Sequence, residues 1–181
     1  MQNLEFETDT SIKPLSVLVV DDSRLQRKLV SVHLKKWGFK ISEAASGQEA
    51  IAICETKEID MILSDWVMPG MSGLEFCEAF RALPRDRYGY FILLTSKSDK
   101  EDIANGLDKG ADDFLSKPVN ATELRARINA GQRVLDMEVK LQIEHARTNA
   151  ALADLPPISA EINKDFAQPE QLHNSTPPPV H

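Results

Sequence analysis

The stretch SVLVVDDSRLQRK, residues 16–28, decides how the rest of the chain is read. Its first five residues, Ser16–Val20, form a short run rich in β-branched side chains with no polar alternation. A strand with one wet face alternates, so an unbroken apolar run marks a strand buried on both faces, as in a parallel sheet. The run ends on two carboxylates, Asp21 and Asp22. Similar short runs recur at Lys40–Ala44, Met61–Ser64, Tyr90–Leu94 and Asp113–Ser116, with helical periodicity between them.

The helix starts support this alternation. Ser46/Glu49, Ser72/Glu75 and Ser98/Glu101 each match S-x-x-E, in which the hydroxyl and the carboxylate satisfy the orphan N–H groups of a first turn. Asn120/Glu123 is a close variant with Asn as the cap. Gly38 and Gly110 stand where helices end. Five βα units predict an α/β fold, a five-stranded parallel sheet covered by helices on both faces. Right-handed crossovers leave the doubly wound order 2-1-3-4-5 as the natural choice, with the ligand site beyond the carboxyl ends of the strands.

At 181 residues the chain suits one main domain, and 42% hydrophobic with 27% charged residues is ordinary for a soluble globular protein. The net charge of −7 argues against a general nucleic-acid binder. Cys54 and Cys77 form no CxxC pair and read as two buried thiols. No apolar run is long enough to cross a membrane, and Met1–Lys13 lacks the apolar core of a signal peptide. The expected location is cytoplasmic, with neither nucleic acid nor membrane as a partner.

Four segments are expected: a flexible arm over residues 1–14, a domain over 15–134, a helical extension over 135–154 and a proline-rich flexible tail over 155–181. The tail holds six of the ten prolines. Ala121–Ala153 contains no proline and one glycine, Gly131, and would form a helix about 50 Å long. Val139, Ile143, Ala146, Ala150 and Ala153 follow a heptad spacing, which predicts pairing with another helix, in a homodimer for example.

On the proposed sheet Asp21, Asp22, Asp65, Thr95 and Lys117 all fall at carboxyl ends of strands and converge on one edge. Three carboxylates so close repel, and a hard divalent cation removes the conflict. Asp22 and Asp65 could bind Mg²⁺ directly and Asp21 through water, with a backbone carbonyl after Asp65, that of Val67, as a further ligand. A carboxylate beside Mg²⁺ can be a nucleophile toward phosphorus. The Lys117 ammonium and the Thr95 hydroxyl, with a backbone N–H, could neutralise the remaining phosphoryl oxygens.

The segments VLVVDDSRLQRK, DMILSDWVMPGMSGLEF, ILLTSKSDK and GADDFLSKPVNATELRARI resemble the CheY-like receiver domain of bacterial two-component response regulators, over about Leu15 to Val134. The resemblance implies the flavodoxin-like (βα)5 fold and phosphorylation on Asp65. It implies a metal held by Asp21, Asp22, Asp65 and Val67, and phosphoryl contacts from Thr95 and Lys117. It also implies a switch made by Thr95 and Phe114, a cis Lys117–Pro118 bond, and tuning of the phosphoryl lifetime at Val67 and Lys97. Trp66 is expected partly exposed at the mouth of the site. The implied partner is a histidine kinase or histidine phosphotransfer protein, docking on Arg24, Leu25, Lys28 and the loop after Lys117. Such a domain is a phosphoacceptor that catalyses at most its own phosphorylation and dephosphorylation.

The segment ELRARINAGQRVLDMEVKLQ resembles linkers that join receivers to enzymatic outputs such as diguanylate cyclases or phosphatases. A stand-alone receiver and a fragment of a longer regulator both remain open. So does an unphosphorylated adaptor. An aspartate-nucleophile phosphohydrolase would want an acid/base Asp where Val67 stands.

Overall fold

The computed structural model describes residues 14–96 and 106–153. The expectations for the N-terminal arm up to Lys13, the Ser98/Glu101 cap, Lys97 and the proline-rich end lie outside the described residues. Element order is β1 Ser16–Val20, α1 Arg24–Lys36, β2 Lys40–Ala44, α2 Gly47–Thr56, β3 Met61–Asp65, α3 Gly73–Ala82, β4 Tyr90–Thr95 and β5 Asp113–Ser116. A C-terminal helix follows, Ala121–Ala153. The strands form one sheet in the order β2-β1-β3-β4-β5, every pairing parallel. β3 runs one residue past its apolar run and ends on Asp65, and β4 likewise ends on Thr95.

Alternate strand residues feed two cores, as the period of two requires. On one face Leu18, Ile62, Phe91 and Leu93 pack with Ala50 and Cys54 of α2 and Phe76, Cys77 and Phe80 of α3. Phe76, Phe80 and Phe91 form a tilted cluster with centroids 5.3–6.3 Å apart. On the other face Val17, Val19, Leu63, Ile92 and Leu94 pack with Val30 and Leu34 of α1 and with Leu124, Ile128 and Leu135 of the C-terminal helix. Burial on both sides explains the unbroken apolar runs of β1, β3 and β4.

The helix ends follow their caps. Ser72 and Glu75 form a complete reciprocal box. At α2 the Ser46 hydroxyl accepts from Glu49 N–H, but the Glu49 carboxylate turns one residue further back, to the N–H of Ala45. Asn120 Oδ1 accepts from the N–H groups of Thr122 and Glu123. Gly38 and Gly110 adopt φ of +89° and +99°, the left-handed geometry that terminates a helix at little cost only in glycine. Gly131 sits inside a helix, where glycine costs about 1 kcal/mol relative to alanine. The reason is close approach to the sheet, because a Cβ there would lie 2.6 Å from Met61 Cε and from Tyr90 Cδ1.

The chain divides into two units, Met1–Leu141 and Gln142–His181. The described part of the second unit, residues 142–153, is helical and exposed throughout. Among the described residues no helix is long and apolar enough to cross a membrane.

Candidate functional site

The ends of β1 and β3, next to each other in the sheet, set two carboxylates side by side. Asp21 follows β1 and Asp65 closes β3; both are buried, while Asp22 is exposed. Ligand oxygens of Asp21, Asp22 and Asp65 all lie within 4.8 Å of one another. Asp21 is fixed by several bonds. Its Oδ1 accepts from the N–H of Ser23 at 2.8 Å, a short Asx turn that delivers the chain to the Ser23 cap of α1. Its own N–H donates to Ala44 O at 3.3 Å.

Lys117 reaches the pair from the loop after β5. Its N–H donates to Thr95 O at 2.8 Å, which ties this loop to the end of β4. Its ammonium lies 2.9 Å from Asp21 Oδ2 and 2.8 Å from Asp65 Oδ2. The Lys117–Pro118 bond that follows is cis. Three carboxylates against one ammonium leave two negative charges, the complement of a divalent cation. An all-carboxylate donor set of this kind suits a hard ion such as Mg²⁺, which is content with one or two carboxylates and several waters.

Burial pushes the Asp65 carboxyl above its ordinary range and Asp21 adds to the rise, while Lys117 pulls it down. The Val67 N–H donates to Asp65 Oδ1 at 3.4 Å. Asp21, Asp65, Val67, Lys117 and Pro118 line a cleft of about 660 Å³, whose other wall is α1 with Gln26, Leu29, Val30 and His33. Thr95 is buried at the end of β4, one residue beyond Leu94, the ladder partner of Asp65. Phe114 is half-buried on β5, packed against the core of the α2–α3 face, with the Arg127 guanidinium 5.9 Å from its ring centroid.

Trp66 corrects one expectation. It is only 6% exposed, because its ring packs beneath Gly106, where a Cβ would lie 3.0 Å from Trp66 Cη2. On α1, Leu25 is 70% exposed. Two site residues escaped the sequence reading. Arg27 donates to the Asp21 carbonyl. Gly73 lies so close to the end of β3 that a Cβ would be 2.0 Å from Asp65 O. The only sequence signals for them are a basic residue on the first turns of α1 and a glycine after a helix cap.

Against known proteins, the response regulator receiver domain matches residues 17–129, more than half of the chain. The chain belongs to the response regulator receiver family. The phosphate regulon transcriptional regulatory protein PhoB of Pseudomonas aeruginosa is 37% identical over 118 residues, 64% of this chain and 50% of that protein. The DNA-binding response regulator MtrA of Mycobacterium tuberculosis is 29% identical over 157 residues, 81% of this chain and 68% of that protein. This receiver chain thus spans about half the length of PhoB. Chemotaxis response regulator CheY4 of Vibrio cholerae superposes with a TM-score of 0.63 at 34% identity, covering 66% of this chain and 99% of that chain. A probable two-component response regulator/GGDEF domain protein gives 0.63 at 29% identity, covering 67% of this chain and 50% of that chain.

Proposed function

We propose that this receiver takes up a phosphoryl group on Asp65, with Mg²⁺ held by the carboxylates of Asp21, Asp22 and Asp65 and by the carbonyl of Val67. The observation that carries the reading is the Lys117 ammonium, placed within 2.9 Å of both Asp21 and Asp65 at the floor of an open cleft. The donor is a phosphohistidine on a histidine kinase or phosphotransfer protein that docks against α1. An Asp65 Oδ attacks the phosphorus. The new O–P bond forms as the P–N bond breaks, and the imidazole nitrogen leaves with the electron pair and takes a proton from solvent. The product is an acyl phosphate.

Bound Mg²⁺ supplies charge neutralisation on one phosphoryl oxygen. Lys117 follows the new charge from its two carboxylates to a second oxygen. The Thr95 hydroxyl and a backbone N–H bind the third. Movement of Thr95 opens space into which Phe114 turns, so the surface around β5 and the C-terminal helix has two states biased by phosphorylation. The chain acts in the cytoplasm as a phosphoacceptor that catalyses at most its own phosphorylation and dephosphorylation.

Residues 15–134 make up the receiver, and the helix that closes it runs on to Ala153. Past Leu135 the exposed side chains Val139 and Ile143 fall on the heptad stripe and favour pairing with a second copy of the chain. Val139→Lys with Ile143→Lys should leave a monomer by sedimentation under conditions where the unsubstituted chain is a dimer. A chain that sediments as a monomer with and without a phosphoryl mimic would end the pairing idea.

The phosphorylation reading is tested with phosphoramidate and Mg²⁺, following intact mass. The expected result is a gain of one phosphoryl group that EDTA and Asp65→Asn both abolish. No gain from small donors or from a phosphorylated histidine kinase would put the unphosphorylated adaptor first.

A further inference from the structure

The three carboxylates of the cation site are not held alike. Asp21 has bonds to Ser23 and Lys117, and Asp65 has bonds to Val67 and Lys117. Asp22 is exposed, and among the described residues no hydrogen bond or ion pair orients its carboxylate. Its direction is therefore set by its backbone. The peptide that carries Asp22 is planar, so fixing the Asp21 carbonyl oxygen fixes the plane from which Asp22 departs.

That oxygen is held by Arg27. Nη1 of Arg27 donates to the Asp21 carbonyl, six residues back, across the start of α1. The guanidinium is itself clamped, with Nε 3.7 Å from Glu43 Oε2 and the side chain only 14% exposed. Glu43 precedes Ala44, whose carbonyl accepts the Asp21 N–H. Both peptides flanking Asp21 are thus anchored to the end of β2, one directly and one through Arg27 and Glu43. A planar fork can serve a carbonyl and a carboxylate together, which a lysine ammonium does poorly. Lys28 at 3.5 Å and Lys35 at 3.8 Å also approach Glu43, so its one negative charge is shared among three cations.

We infer that Arg27 is a positioning residue for the cation site: clamped by Glu43, it sets the Asp21–Asp22 peptide so that Asp22 faces Asp21 and Asp65. The inference rests on the proposal that these three carboxylates hold Mg²⁺. Outer-shell partners of metal ligands typically change affinity by about 10- to 100-fold when removed. An exposed ligand that depends on its backbone for direction belongs at the lower end of that range.

The test uses the full chain and Mn²⁺ as the probe. Free Mn²⁺ is counted by electron paramagnetic resonance, with Mg²⁺ as competitor and thermal unfolding of each metal-free variant in parallel. Arg27→Met should weaken Mn²⁺ binding about tenfold, and Arg27→Lys should recover part of the loss. Glu43→Gln should weaken it several-fold. Because Glu43 acts through Arg27, the double variant should bind no more weakly than Arg27→Met alone. Lys36→Met, an exposed change near the end of the same helix, should leave binding unchanged.

Arg27→Met binding within about twofold of the unsubstituted chain would overturn the inference, as would losses that multiply in the double variant. Should Arg27→Met fail to fold, Glu43→Gln carries the test, and unchanged Mn²⁺ affinity there overturns it. If the unsubstituted chain binds no Mn²⁺, or Asp22→Asn does not weaken binding, the cation site itself is what has failed.

Discussion

Gly73→Ala asks how tightly Asp65 is built into the fold. Gly73 opens α3 with its N–H on Trp66 O at 2.9 Å. An added Cβ would lie 2.0 Å from Asp65 O and 3.1 Å from Ser64 Oγ. Ordinary contact begins near 3.4 Å, so the gap to the carbonyl must open by about 1.4 Å. Neither side yields cheaply. Asp65 is the last rung of the β3–β4 pairing, opposite Leu94, and the start of α3 is fixed by the Ser72–Glu75 box. Overpacking of this kind costs about 1–3 kcal/mol, and the better helix propensity of alanine returns less than about 1 kcal/mol in a first turn. The expected net loss is about 2 kcal/mol in urea unfolding. A misplacement of about 1 Å at a reacting group can cost about 10²-fold in rate, so phosphoryl uptake from phosphoramidate should slow by about that factor. Gly131→Ala is the control: its clash with Met61 and Tyr90 is far from Asp65 along the strands, so it should lose stability and keep the uptake rate. A Gly73→Ala protein with an unchanged unfolding midpoint and unchanged uptake would refute the packing argument.

Asp65→Asn should stabilise the metal-free protein at neutral pH. The folded carboxyl titrates above its ordinary 3.8 because it is buried. The folded state therefore holds the proton longer than the unfolded state, and stability falls as pH rises from the unfolded value through the folded one. The variant should melt higher than the unsubstituted chain in EDTA near about pH 7, and the gap should close below about pH 4, where both states are protonated; an equal gap at both pH values would contradict the sign. Lys117→Met removes the ammonium that occupies Asp21 and Asp65, so calorimetric Mg²⁺ affinity should rise while phosphoryl uptake falls about 10²-fold; a fall in both would mean the lysine organises the carboxylates. Asp112 accepts from Arg81 at 2.7 Å, from the Phe91 N–H at 2.6 Å and from the Tyr88 hydroxyl. Asp112→Asn should cost about 2–3 kcal/mol in urea. Burial and the Asp112 acceptor together hold the Tyr88 phenol above its ordinary value, so its ultraviolet titration should move down in the variant.

The sheet order and the convergence of Asp21, Asp22, Asp65 and Lys117 were legible because both follow from general rules. Apolar runs without alternation mean strands covered on both faces, and parallel strands bring their carboxyl ends to one edge. Glycine stops at Gly38 and Gly110 were legible because positive φ nearly demands that residue. What escaped depends on side-chain direction. Trp66 stands next to Asp65 in sequence, yet its ring turns beneath Gly106. Arg27 looks like its neighbours Arg24 and Lys28, and only the fold shows it bent back onto a strand-end carbonyl. Glu49 fits the box pattern but bonds one residue earlier, a choice of rotamer that the spacing does not encode.

The central claim is that Asp65, and no other carboxylate of the cluster, carries the phosphoryl group. The most direct measurement is borohydride trapping after phosphorylation, which reduces an acyl phosphate to an alcohol and leaves homoserine where the aspartate was. Peptide mass mapping should find homoserine at position 65, only when Mg²⁺ and donor are both present. Homoserine at position 21 or 22, or none anywhere in a sample that has gained phosphate, would contradict the account.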